Sequence, residues 1–259
     1  MLRARSAITG IAGAGAAGAL IVSGAVFQEL NRDEASTFAG DETVCIRSDL
    51  RFFEDAPKGC VKKQVVARWR GAAVLDNSGA PVRLRLAHPT DFSRAPETVL
   101  TCSKYDRLTG EGWYAESSRE MRREAYFMRA CMAVRFLLTA AEPKKSYFAK
   151  GALSERDVEA MSNNPPLRIA PRNMDVAEIG APNIEPLQDG LWRLQYSDQS
   201  AIVQEISHAD FNGDGVGDVL AFIAVTVREG TATAGAVGLI EKAESRSAAR
   251  FRAPRPSAE

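Results

Sequence analysis

Apolar residues recur every three or four positions in the middle of the chain, at Met121, Ala125, Met128 and Met132, and beside them at Phe127, Cys131, Val134 and Leu138. This spacing predicts one long helix from Gly112 to Ala140 with a broad apolar face. Arg119, Arg122, Arg123 and Arg129 alternate with Glu116, Glu120 and Glu124, which places opposite charges three or four residues apart on the wet side. A shorter helix over Glu97 to Leu108 precedes it and breaks at Thr109-Gly110.

The period is two upstream of that region. Val82-Arg83-Leu84-Arg85-Leu86 alternates strictly, and Asp76-Asn77-Ser78-Gly79 before it supplies turn chemistry. With the apolar run Val65 to Leu75, this predicts an N-terminal β-hairpin with one wet face, on which Arg83 and Arg85 are solvated strand positions. Downstream, Ser154-Glu155-Arg156-Asp157 has the spacing of a capping box and predicts a short helix to Met161. Five prolines between Asn163 and Pro186 then preclude long regular structure. Strand-like runs follow at Leu191–Tyr196, Ala201–Ser207, Val219–Val227 and Ala236–Ile240, predicting a small antiparallel meander. The fold class expected is α+β: hairpin, central long helix and C-terminal small antiparallel sheet.

The N-terminus follows a different logic. Arg3 and Arg5 precede a stretch from Ser6 to Phe27 that holds no charged residue, the arrangement of a membrane-directed leader. Ser23-Gly24-Ala25 provides small residues for cleavage after Ala25. The same stretch is about one bilayer in length at ~1.5 Å per residue, so an uncleaved single-pass anchor stays open. The organisation expected is therefore a leader over 1–25, a tether over 26–40, one α+β domain over 41–244 and a disordered tail over 245–259. The location expected is periplasmic or secreted, with membrane contact only through the N-terminal segment.

Composition narrows the function classes. The chain has 33 basic and 33 acidic residues and no long single-sign run, which disfavours a nucleic-acid partner. Four cysteines, Cys45, Cys60, Cys102 and Cys131, all follow the leader. An oxidising compartment would let them pair. Short loops favour Cys45–Cys60 and Cys102–Cys131, although a crossed pattern remains open. The two histidines, His88 and His208, stand in no recognisable nucleophile or metal-ligand pattern, and no Walker loop, Gly-x-Ser-x-Gly or His-Glu-x-x-His is present.

The segment richest in chemistry is Asp210-Phe211-Asn212-Gly213-Asp214-Gly215-Val216-Gly217-Asp218. It puts side-chain oxygens at positions one, three, five and nine, glycine at six and a backbone carbonyl at seven, which are the opening positions of a calcium loop. Three carboxylates and an amide in nine residues exceed what a turn requires. The twelfth position is Ala221 where an EF-hand has glutamate, and a strand-like run follows instead of a helix. From Ile202 to Ile223 the sequence resembles the calcium loops of FG-GAP and VCBS-type repeats, in which the loop joins two strands. The resemblance implies a calcium ion held by Asp210, Asn212, Asp214 and Asp218 with the Val216 carbonyl. His208, two residues before the loop, reads as an ordinary polar residue because imidazole suits a hard oxygen site poorly.

Two functions are consistent with these features. One is an exported non-catalytic envelope or binding protein with a structural calcium site, its partner an unknown protein or envelope component. The other is an exported hydrolase acting on envelope polysaccharide or peptide.

Overall fold

A computed structural model describes residues 42–47, 50–54, 56, 58–162, 180–228 and 233–253. The leader, the whole tether and most of the proline-rich stretch lie outside the described residues. The architecture is α+β.

The strands β1 (Thr43–Ile46) and β2 (Gly59–Lys62) pair antiparallel, with Cys45 opposite Cys60. Helix α1 (Lys63–Trp69) follows directly. This corrects the expected strand at Val65–Leu75: Val66 and Trp69 are buried on one side of a helical turn, and packing of that side against the core overrides the β-branched composition. The turn at Asp76–Gly79 does form. Asp76 Oδ1 accepts hydrogen bonds from the Ser78 N–H at 2.8 Å and the Ala80 N–H at 3.1 Å. The alternating run beyond it buries Val82, Leu84 and Leu86 and exposes Arg83 and Arg85, as its period requires. Its partner is a different one, because β3 (Leu84–Leu86) pairs with β4 (Glu97–Val99) in a separate two-stranded sheet.

Helix α2 (Cys102–Gly110) starts at Thr101, whose Oγ1 accepts from the Lys104 N–H. Helix α3 (Ser118–Thr139) starts at Ser117, whose Oγ accepts from the Glu120 N–H. It begins later than the periodicity indicated. Gly112 takes φ +85°, Trp113 turns into the core, and Tyr114 exchanges backbone hydrogen bonds with Ala87. The helix buries the stripe of Phe127, Ala130, Cys131, Val134, Leu137 and Leu138. The parallel methionine stripe is core only at its end: Met121 and Met128 are 53% and 55% exposed, while Met132 packs partly buried against the core. Stripes one residue apart on a helix are rotated by about 100°, and the Cys102–Cys131 disulfide turns the Cys131 stripe inward toward α2.

After α3 the chain makes β5 (Lys145–Ser146), a single turn at Ala149–Gly151 and α4 (Glu155–Ser162). The capping box at α4 is present. The Asp157 N–H donates to Ser154 Oγ, and the Ser154 N–H donates back to Asp157 Oδ2. Then come β6 (Asn183–Gln188), β7 (Leu191–Gln195), β8 (Gln199–Ala209), β9 (Val216–Val227), β10 (Thr233–Glu241) and β11 (Arg250–Arg252). The sheet is larger than expected, with nine strands among the described residues. Its main path runs β11-β10-β9-β8-β1-β2, while β7 and β6 extend from β8 and β5 joins β9. Pro186 lies in β6, which among the described strands pairs with β7 alone, a position where its missing N–H is tolerated. The expected disordered tail is corrected in part, because Phe251 is 6% exposed and β11 pairs with the end of β10.

Strand β9 separates two cores. Leu220 and Phe222 face the cluster built on α1, α2 and α3, while Val219, Ala221, Ile223 and Val225 face the cluster built on Phe148, Val158 and Met161. The sheet is thus covered by helix α3 on one face and by the α4 region on the other, which explains why β9 reads as a nearly continuous apolar run.

Candidate metal centre

Strand β8 runs antiparallel to β9 with Ala209 opposite Asp218, so the intervening residues form the connection between neighbouring strands. The chain turns there with Gly215 at φ +80°, a conformation that disfavours a side chain, and a Cβ at that point would stand 3.3 Å from Lys144 Cδ. The connection is braced from the α3 exit. Ala141 and Asp210 exchange backbone hydrogen bonds at 2.8 and 2.9 Å, and the Lys144 N–H donates to the Gly215 carbonyl at 3.0 Å. Phe211 is buried and meets Phe136 of α3 edge to face at 6.2 Å.

The side-chain oxygens fold back onto the loop's own backbone. Asp210 accepts from the Gly213 and Gly215 N–H groups at 2.7 and 2.8 Å. Asn212 Oδ1 accepts from the Asp214 N–H at 3.0 Å, and Asp214 Oδ1 accepts from the Val216 N–H at 2.7 Å. Asp218 Oδ2 accepts from the Phe211 N–H at 3.3 Å. These bonds fix the loop while leaving lone pairs over, since an ionised carboxylate has about four acceptor sites. Among the described residues, no group of three or more His, Cys, Asp or Glu side chains is already gathered as a metal cluster.

The electrostatics are unfavourable to the bare loop. Asp210 and Asp218 are 5% and 2% exposed, and no Lys or Arg forms an ion pair with Asp210, Asp214 or Asp218 among the described residues. Burial pushes the Asp218 carboxyl up to about 7, and the negative charges of Glu241, Asp214 and Asp210 add to the rise against the Phe211 hydrogen bond. An all-oxygen set of this kind fits a hard divalent cation in its chemistry.

Glu241 is a residue of this site that sequence reasoning missed. It ends β10 one step beyond the pair Ile240↔Val219, so the sheet register sets it beside Asp218. The predicted strand stopped at Ile240. The signal was available only in the pairing, not in the local sequence.

On the opposite side of β9 lies a second polar group. Ser146 of β5, paired parallel with Gly217, approaches His208 Nε2 with its Oγ at 3.0 Å. Burial and the Arg47 cation hold the His208 imidazole below its ordinary range. Arg47 also donates to the Gly151 carbonyl at 2.9 Å and lies 3.8 Å from Glu205, whose carboxyl burial raises. His208 is therefore more constrained than an ordinary polar position. No protein-family model, no curated protein and no solved structure matches the chain.

Proposed function

We propose that the chain is an exported, non-catalytic envelope or binding protein in which the Asp210–Asp218 connection holds one structural calcium ion. The observation that carries this reading is the burial of Asp210 and Asp218 in a connection that has no ion pair to a basic side chain among the described residues. Burial is the main cost of ionising Asp218, the negative charges of Glu241, Asp214 and Asp210 add to it, and a divalent cation relieves that cost. The ligands are Asp210, Asn212, Asp214 and Asp218 with the Val216 carbonyl. Because the connection joins two strands of one sheet, the ion locks geometry rather than driving a large opening. The disulfides Cys45–Cys60 and Cys102–Cys131 support an oxidising compartment.

The test is thermal unfolding with calcium and with chelator. At free calcium a hundredfold above Kd, linkage gives about 2.7 kcal/mol, so chelation lowers Tm. Asp214→Ala removes most of that dependence, and Asp189→Ala leaves it. A Tm indifferent to chelator overturns the calcium assignment. Export is tested separately, by N-terminal sequencing of the protein outside the cytoplasm, with Val26 the expected first residue.

One contact favours the second reading, a hydrolase. Ser146 Oγ and His208 Nε2 stand 3.0 Å apart, the reach of a nucleophile and its base. Covalent labelling of Ser146 by a fluorophosphonate probe, lost in His208→Ala, would replace the non-catalytic reading; an unlabelled Ser146 removes the hydrolase that this contact supports.

A further inference from the structure

The two disulfides differ in their access to solvent. Cys102 and Cys131 are 1% and 2% exposed and join α2 to α3 inside the larger core. Cys45 and Cys60 are both exposed. The Lys63 N–H donates to the Glu42 carbonyl, and alternation along the antiparallel ladder then makes Cys45 and Cys60 a pair without mutual backbone hydrogen bonds, the position where facing side chains come closest. Reaction of a disulfide with a thiolate requires access to a sulfur atom, and only this bridge offers it without unfolding.

Strand β1 does not depend on the bridge for its place. Val44 and Ile46 are buried in the core, Ser207 Oγ donates to the Cys45 carbonyl at 2.7 Å, and the Arg47 N–H donates to the Ile206 carbonyl at 2.8 Å. The cross-link can therefore open while these contacts persist.

We propose that Cys45–Cys60 is a thiol–disulfide exchange site, opened in the folded protein by an external protein dithiol, whereas Cys102–Cys131 is the permanent bridge. A thiolate of the partner attacks one sulfur, the Cys45–Cys60 bond breaks as a mixed disulfide forms, and the released cysteine leaves as a thiolate that takes a proton from water. The partner's second thiolate then attacks the partner's sulfur of the mixed disulfide, forming the partner's own disulfide and releasing the remaining cysteine as a thiolate that also takes a proton from water. Two electrons pass to the chain, which ends with two thiols, and the partner ends as a disulfide. This inference is independent of the calcium assignment.

The experiment uses the folded oxidised protein, titrated with dithiothreitol under non-denaturing conditions, alkylated and mapped by mass spectrometry, with near-ultraviolet circular dichroism followed in parallel. The expected result is alkylation of Cys45 and Cys60 at a dithiothreitol concentration at least ~10-fold below that needed for Cys102 and Cys131, with the dichroism signal retained. A thioredoxin-type protein lacking its resolving cysteine should be trapped on Cys45 or Cys60. Opening of both bridges together, loss of the dichroism signal in step with alkylation, or a trapped adduct on Cys102 or Cys131 overturns the proposal.

Discussion

The Asn212 side-chain amide donates to Glu241 Oε1 across 3.3 Å, tying the third position of the acidic connection to the last residue of β10. Glu241 also pairs with Arg252 of β11 at 3.2 Å. The connection between β8 and β9 is thus joined to a strand it does not belong to. Glu241→Gln keeps the shape and removes one negative charge beside Asp218. Calcium affinity, measured by titration calorimetry, should fall in this variant, while Tm in chelator should hold or rise because the repulsion on Asp218 is reduced.

Asp218 makes the chelated protein sensitive to pH in an unusual direction. Its carboxyl rises from the ordinary carboxylate range to about 7 on folding, so between these values the folded state binds more protons than the unfolded one, and stability falls as pH rises through that window. In chelator, Tm should therefore drop between about pH 4 and pH 7 by an amount that Asp218→Asn abolishes. In excess calcium the drop should be smaller, because the cation takes the place of the proton. A chelated Asp218→Asn variant with the same pH slope as the parent would refute this.

The α4 region is fastened to the residue that follows β10 by an ion pair removed from water. Lys242 Nζ stands 2.8 Å from Asp157 Oδ1, with side chains 10% and 6% exposed. Burial alone would push Asp157 up, but the Lys242 and Ser154 hydrogen bonds outweigh it and hold the carboxyl below its ordinary range. Asp157→Ala leaves the Lys242 charge buried without its partner and should cost about 3 kcal/mol in urea unfolding. Lys242→Met, whose chain can still lie along Phe148, should cost less. Because this carboxyl is depressed, its contribution is present above the ordinary carboxylate range and is lost as pH falls toward and through its folded value.

Gly217 keeps His208 in place by having no side chain. A Cβ there would lie 2.5 Å from His208 Nε2, so Gly217→Ala should displace the ring, break the Ser146 contact and cost about 1–3 kcal/mol as overpacking. The nuclear magnetic resonance titration of His208 should move back toward the ordinary imidazole range, since burial no longer depresses it. An unchanged titration would show that the ring does not lean on Gly217.

Legibility in the sequence followed the range of the interactions involved. The helix over Phe127 to Leu138, the alternation at Val82–Leu86, the capping box at Ser154 and the strands flanking the acidic connection are written in local spacing, and each formed. The helix at Lys63–Trp69 was not legible, because its β-branched residues favour strand locally and only packing of Val66 and Trp69 reverses that. Strand β11 was hidden for the same reason: Arg250-Phe251-Arg252 reads as a basic tail until β10 supplies a partner. Of the candidate site, the connection and its oxygens were legible as a motif. Glu241 and Ser146 were not, since each arrives by strand register from a distant part of the chain.

The alternation of β9 between two cores makes it two interleaved messages in one segment. Gly217 answers to the α4 side and Asp218 to the α3 side, one residue apart. Substitutions at single positions disturb one message and spare the other. Deleting one residue within β9 would instead transpose every position on one side of the deletion, turning the apolar residues there toward the wrong core. Length variation in this protein should therefore be found outside β9, and a chain with β9 shortened by one residue should fail to fold whatever its composition.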